Sequence, residues 1–188
     1  MKYIIVDLEA TCINPRSDDF ISEIIEIGAV KIENDKITDT FNIFVKPTIN
    51  PILSDFCKEL TSITQKDVDN GMSRKEALLS FIDFCKDSNY ILSWGGYDKN
   101  QLRKECERIS LKTDWLSNHR NLKLYFSDLL GKSKQFGMER ALSIAGLPLD
   151  GTHHRGIDDA KNIAKIFLKY EKDWDFTKKL ENKKPYTK

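Results

Sequence analysis

The chain lacks any apolar run near the ~20 residues needed to cross a membrane. It also lacks paired cysteines. Cys12, Cys57, Cys85 and Cys106 are far apart, and the CxxC spacing of metal or redox sites is absent. Cysteines scattered in this way read as small buried thiols, and so as a sign of a reducing, cytoplasmic setting. No leader is read, because a core strand begins at once. Charge of one sign is missing too. Lys+Arg number 30 against 29 Asp+Glu, a net charge of +1, so a nucleic-acid partner would have to be met by a local patch. There is no internal repeat and no low-complexity tract. What is present is 188 residues, 40% of them hydrophobic, enough for one domain with a full core. We place that domain at 1–175. The lysine-bearing end, 176–188, reads as a frayed basic tail.

Hydrophobic periodicity orders the elements. Tyr3-Ile4-Ile5-Val6 opens a strand over 3–8, and residues 22–33 form a second, rich in β-branched side chains. Asn34-Asp35 is a tight turn into a third strand over 36–46. Helical spacing follows at 52–60 and at 73–86, where Ser73 and Glu76 make a capping box. A fourth strand, 90–94, leads through Gly95-Gly96 to a helix over about 99–109. Leu122 and Leu124 alternate with polar neighbours, which reads as an edge-like fifth strand over 121–125. Short helical segments follow at 137–146, closing on Gly146, and at 157–170. Early strands followed by helices alternating with strands predict one mixed α/β sheet flanked by helices.

Three acidic features then stand out. The first strand runs into Asp7 and Glu9, which are two apart and so point the same way. Like charges on one face cost free energy unless a cation compensates them, and only Lys2 is near in sequence. The pair therefore reads as oxygen ligands for a hard cation. Asp98 follows the fourth strand. With Gln101 three residues on, it reads equally as a helix N-cap. Last comes His153-His154-Arg155-Gly156-Ile157-Asp158-Asp159, directly before the final helix. Asp158 or Asp159, with one of the two histidines, would complete a set of four carboxylates and a base. Two divalent ions about 3.5–4 Å apart would satisfy such a set. Imidazole, with a pKa about 6.5, suits proton abstraction near neutrality. His119, between Asn118 and Arg120, reads as a surface residue.

These residues resemble the DEDDh (DnaQ-like) 3′-5′ exonucleases, and within them the Eri-type exoribonuclease branch. Asp7-Leu8-Glu9-Ala10-Thr11-Cys12 matches the first motif, and Asp98 after Trp94-Gly95-Gly96-Tyr97 the second. His154, four residues, then Asp159 matches the third, in the longer run His154-Arg155-Gly156-Ile157-Asp158-Asp159-Ala160-Lys161-Asn162. His153 with Asp158 has the same spacing and is the less favoured register. Leu53-Ser54-Asp55-Phe56-Cys57 and Leu60-Thr61-Ser62-Ile63-Thr64 are also similar to the branch, with Ser62 where a glycine is common. The likeness spans roughly residues 2–170.

The resemblance implies an RNase H-like fold, with a five-stranded mixed sheet whose second strand is antiparallel to the rest. It implies a metal-dependent nuclease using two Mg²⁺ ions, with Mn²⁺ as substitute. Asp7, Glu9, Asp98 and Asp159 would be ligands and His154 the base. The substrate would be nucleic acid, RNA in preference to DNA, cut from its 3′ end to nucleoside 5′-monophosphates. Leu8, Ala10 and Thr11 would meet the terminal nucleotide, Tyr97 would stack on a base, and Arg155 would contact a phosphate. Trp94 reads as strand core before it reads as a stacking platform, and Lys99 and Arg103 as solvated charges before phosphate contacts. The assembly is expected to be a monomer or homodimer with no membrane partner.

Overall fold

The computed structural model describes residues 1–178 and 180. A five-stranded sheet has the order β3-β2-β1-β4-β5. Its strands are β1 Lys2–Ala10, β2 Ile24–Glu33, β3 Lys36–Phe44, β4 Tyr90–Ser93 and β5 His119–Asn121. β2 runs antiparallel to β1 and β3, while β4 and β5 run parallel to β1. This is the expected RNase H-like mixed sheet.

β1 is the central strand, and its residues Ile4, Ile5 and Val6 are fully buried. Burial on both faces explains the unbroken apolar run Tyr3–Val6. On one face Ile4, Val6 and Leu8 pack with Leu78 and Phe81 of α3 (Arg74–Cys85) and Leu102 of α4 (Tyr97–Arg108). On the other, Ile5 packs with Phe126 of α5 (Leu122–Leu129), Leu142 of α6 (Met138–Ala145) and Phe167 of α7 (Gly156–Lys169). A smaller third cluster joins Ile25 to Cys57 of α1 (Asp55–Thr61) and Val68 of α2 (Gln65–Asp69). Among the described residues no helix is long and apolar enough to cross a membrane.

Several elements differ from the sequence reading. The fifth strand is only His119–Asn121, and Leu122 begins a helix. Leu122 and Leu124 do alternate, but Leu122, Tyr125 and Phe126 recur at helical spacing and are the buried set. Helix α2 has no counterpart in that reading, although Thr64 and Asp67 make its capping box. His119 is not a surface residue. It is 7% exposed, with Nε2 2.9 Å from Ser93 Oγ. Phe176, at the start of the expected tail, is buried against Tyr90 and Tyr125. The packed body therefore reaches past 175. Lys179 and residues 181–188 of the expected tail lie outside the described residues.

Candidate active site

The sheet brings the carboxyl ends of β1 and β4 together, and open α/β sheets place ligands at such ends. Asp7 and Glu9 sit on the face that α7 covers. α7 reaches them because two glycines allow close contact. A Cβ on Gly28 would lie 2.0 Å from Ile157 N, and one on Gly156 would lie 2.9 Å from Asp7 O. Neither position has room for a side chain. The first turn of α7 therefore presses on β1 and β2 and carries Asp159 to the acids. Ligand atoms of Asp7, Glu9 and Asp159 lie within 4.8 Å of one another.

Asp98 joins them from α4. It does not cap the helix: Gly96 is the N-cap, without a side-chain bond. Instead Leu8 N–H donates to Asp98 Oδ1 at 3.2 Å, tying α4 to β1. Gln101 is likewise drawn off, donating to Ser22 O and Glu105 Oε1 at 2.9 Å each. Tertiary partners thus replace the local capping box.

The electrostatics of the group are unfavourable as it stands. Asp7 is raised well above the usual carboxylate range, by burial first and then by Asp98, Glu9 and Asp159. Glu9 is pushed up to about 9 by burial, Asp159 and Glu26. Asp98 is raised to about 6 by burial, against the opposing pull of its own backbone N–H, Ser93 and Leu8 N–H. Arg155 does not relieve the group. Its Nε and NH2 hold Glu26 at 3.2 and 3.3 Å, and its guanidinium lies 5.3 Å from the Phe44 ring centre. Arg155, read as a phosphate contact, is thus tied to a buried acid. Glu26 is fully buried opposite Glu9 on β2 and also accepts from Gly156 N–H at 2.9 Å. Sequence reasoning missed it. A glutamate in a run of β-branched residues was the available signal.

In the third motif, Asp159 belongs to the acidic group and Asp158 does not. Asp158 accepts from Thr152 N–H at 2.9 Å and braces the preceding loop. His154 has φ +61°, and its backbone N–H donates to Asp159 Oδ2 at 3.1 Å. The ring that touches Asp159 is that of His153, with Nδ1 3.0 Å from Oδ2. The two imidazoles stack with centres 4.0 Å apart. The His154 pKa is lowered by burial and by His153.

Beside the carboxylates is a cleft of about 270 Å³ lined by Leu8, Glu9, Ala10, Thr11 and Tyr97, and closed by Arg16 and Phe20 of the loop before β2. Tyr97 is half exposed there. Thr11 lines it, and is tied to Glu23: Thr11 N–H donates to Glu23 O at 2.8 Å, and Glu23 N–H donates to Thr11 Oγ1 at 2.9 Å. Trp94, just past β4, is partly buried against the core, with Nε1 donating to Phe136 O at 3.0 Å and its ring against Phe126.

Oxygen donors of this number, gathered with no cation among the described residues paired to them, have the chemistry of a hard divalent-metal site. Comparisons with known proteins agree. A family model described as Exonuclease matches residues 4–167. The chain is 33% identical over 188 residues to the probable 3′-5′ exonuclease KapD of Bacillus subtilis, covering 98% of this chain and 90% of that one. It is 33% identical over 184 residues to human 3′-5′ exoribonuclease 1, covering 90% of this chain and about half, 52%, of the human protein. The nuclease domain of 3′hExo bound to rAMP, described as a DEDDh family member, superposes with TM-score 0.84 at 32% identity, covering 92% of each chain. This chain belongs to the exonuclease family, as one of its DEDDh 3′-5′ exonucleases.

Proposed function

We propose that this exonuclease removes nucleoside 5′-monophosphates from the 3′ end of RNA, single-stranded or overhanging. The observation that carries the reaction is the Asp7–Glu9–Asp159 group, half-buried at Asp7, buried at the other two and uncompensated, with a histidine pair on Asp159. The RNA preference rests on the relatives named as exoribonucleases and on the rAMP-bound 3′hExo domain.

Asp7, Glu9 and Asp159 would hold Mg²⁺, with Asp98 reaching a second ion from the α4 side and Mn²⁺ able to substitute. Such ions supply Lewis-acid stabilisation of charge on phosphoryl oxygens. The protein's own groups do the rest. His154 takes the proton of the attacking water, and its lowered pKa keeps it neutral and able to accept at neutral pH. Asp159 orients the histidine loop through His154 N–H and His153 Nδ1. Leu8, Ala10 and Tyr97 line the cleft that seats the terminal nucleotide, with the Thr11 segment behind them. Arg155 acts at one remove, holding Glu26 and through it the start of α7.

The test is a pair of RNA oligonucleotides, labelled at the 3′ or 5′ end, incubated with Mg²⁺ or Mn²⁺. The 3′ label should leave as a mononucleotide while the 5′-labelled strand shortens stepwise. Internal fragments would contradict this. DNA of the same sequence is the control. Equal or faster DNA turnover would make this a DNA exonuclease, since carboxylates and ions meet phosphate and do not read the 2′-hydroxyl. Replacement of His154 by alanine should cut turnover by roughly 10²–10⁴-fold. His153→Ala should cost much less. The reverse order would make His153, the ring already on Asp159, the base.

A further inference from the structure

The β5 edge of the sheet carries a cation cluster next to the carboxylate group, linked to it through Ser93, which bonds both Asp98 and His119. Lys99 and Arg103 are four residues apart on α4 and so share one face of it. His119 lies on β5, with Nε2 2.9 Å from Ser93 Oγ at the end of β4. Arg120 is the next residue of that edge strand. Its Nε and NH1 bond carbonyl oxygens, of Phe176 at 3.4 Å and His119 at 3.0 Å, its side chain also bonds Tyr125, and its guanidinium lies 5.0 Å from the Tyr90 ring centre.

Among the described residues no carboxylate pairs with Lys99, Arg103 or Arg120. Other partly buried cations do have carboxylate partners: Arg74 with Glu23 and Glu105, Arg108 with Glu105, Arg155 with Glu26, Lys165 with Asp150, although Lys31 rests instead on the Phe84 ring. At the β5 edge the cations instead feel one another. His119 is pushed down to about 3 by burial and then by Lys99, Arg120 and Arg103. Converging like charges cost free energy, and an anion laid across them would reverse the sign of that cost.

The position indicates which anion. Lys99 directly follows Asp98, so α4 leads away from the carboxylates toward Arg103. The two cations are about 6 Å apart along the helix axis, at about 1.5 Å per residue. That is one to two phosphate spacings of a strand, at about 3.4 Å per charge in a duplex.

We infer that Lys99, Arg103 and Arg120 hold the phosphate backbone of the substrate strand upstream of the nucleotide in the carboxylate site. The inference rests on the exonuclease reading of that site. Contacts of this kind position a strand without reading its sequence. They reward length, because a mononucleotide cannot span them, and they weaken as salt rises.

The test uses the full chain and a Lys99→Met/Arg103→Met double variant, both checked for an unchanged melting temperature. Fluorescence anisotropy of a labelled 12-nucleotide RNA is measured across a salt series. In parallel, KM is measured for the 12-mer and for a dinucleotide. The expected results are a loss of about tenfold or more in 12-mer affinity, and a fall of about 1.4 in the slope of log affinity against log salt, about 0.7 for each phosphate no longer neutralised. The ratio of dinucleotide KM to 12-mer KM should fall with it. If the double variant does not fold, the single Arg103→Gln should give about half the slope change.

Unchanged affinity and slope would overturn the inference and leave the cations as a guard against edge-to-edge pairing at β5. Equal losses on dinucleotide and 12-mer would also overturn it, placing the cluster in support of the carboxylates. So would full displacement of the 12-mer by sub-millimolar inorganic phosphate, which would mark a free-anion site. Wild-type protein that binds the 12-mer with the expected slope, loses it in the double variant, and cleaves nothing would refute the exonuclease reading and keep the strand-binding one.

Discussion

Two buried acidic clusters sit at the same end of this sheet, and the fold treats them in opposite ways. One is Glu23 and Glu105. Glu23 accepts from the backbone N–H of Thr48, Ile49 and Asn50 at 2.8, 2.8 and 2.7 Å, and Arg74 bridges it to Glu105. Glu105 also takes Arg108 at 2.5 Å. Burial alone would raise Glu23, but those N–H groups and Arg74 bring it below its usual value. The other cluster is Asp7, Glu9, Asp98 and Asp159. Its Glu9, Asp98 and Asp159 are buried and Asp7 half-buried, no arginine pairs with them among the described residues, and Asp7, Glu9 and Asp98 are raised. A buried acid whose counter-charge is built into the fold holds structure together. One whose counter-charge is missing awaits a cation from solution.

Substitution should separate the two clusters cleanly. Asp7→Asn should reduce nuclease turnover by at least about 10³-fold, the scale of losing a main electrostatic group at a reacting centre. The same change should stabilise the metal-free protein. A raised aspartate keeps in the folded state a proton that the unfolded chain sheds above about 3.8, so stability falls as pH rises toward the folded value. At pH 7.5 the wild type carries that cost and the amide relieves part of it, on the order of 1–3 kcal/mol. Urea unfolding in the presence of a chelator measures it, and a less stable Asp7→Asn would break the comparison.

Arg74→Met should do the reverse. It leaves Glu23 and Glu105 buried with less counter-charge, at a cost of about 3–5 kcal/mol. Denaturant midpoints should fall whether or not metal is added. Stability within about 1 kcal/mol of wild type would show that the backbone donors around Glu23 suffice.

The smallest effect concerns the β5 edge. His119, lowered to about 3, stays neutral when folded while the unfolded chain takes up a proton below about 6.5. Stability is therefore lost as pH falls through that window. Between pH 7 and pH 5 the loss from this group is about 2 kcal/mol. In His119→Asn the pH 7 to pH 5 difference in unfolding free energy should shrink by that amount. An unchanged difference would mean that His119 protonates in the folded state.

The ends of the catalytic arrangement were legible in the sequence because local rules set them. Asp7 and Glu9 share a strand face, and Asp159 opens a helix beside a turn. Their convergence was readable from the resemblance and from strand-end logic. The structure adds the physical means, which is the contact of Gly28 with the start of α7. What stayed hidden depended on tertiary partners. Asp98 reads as a cap until Leu8 N–H claims it, and His119 reads as surface until β4 covers it. Arg155 reads as free until Glu26, 129 residues away, takes its charge. The Glu23–Arg74–Glu105 network joins three segments that no local pattern links.

The central claim is that Asp7, Glu9, Asp98 and Asp159 are held apart from any built-in cation so that they can take a divalent one. Calorimetric titration of Mn²⁺ into chelator-stripped protein tests it directly. The account predicts saturable binding to the wild type, abolished in Asp7→Asn and retained in Lys99→Met, which removes no carboxylate. No binding to the wild type, or equal binding to Asp7→Asn, would contradict it.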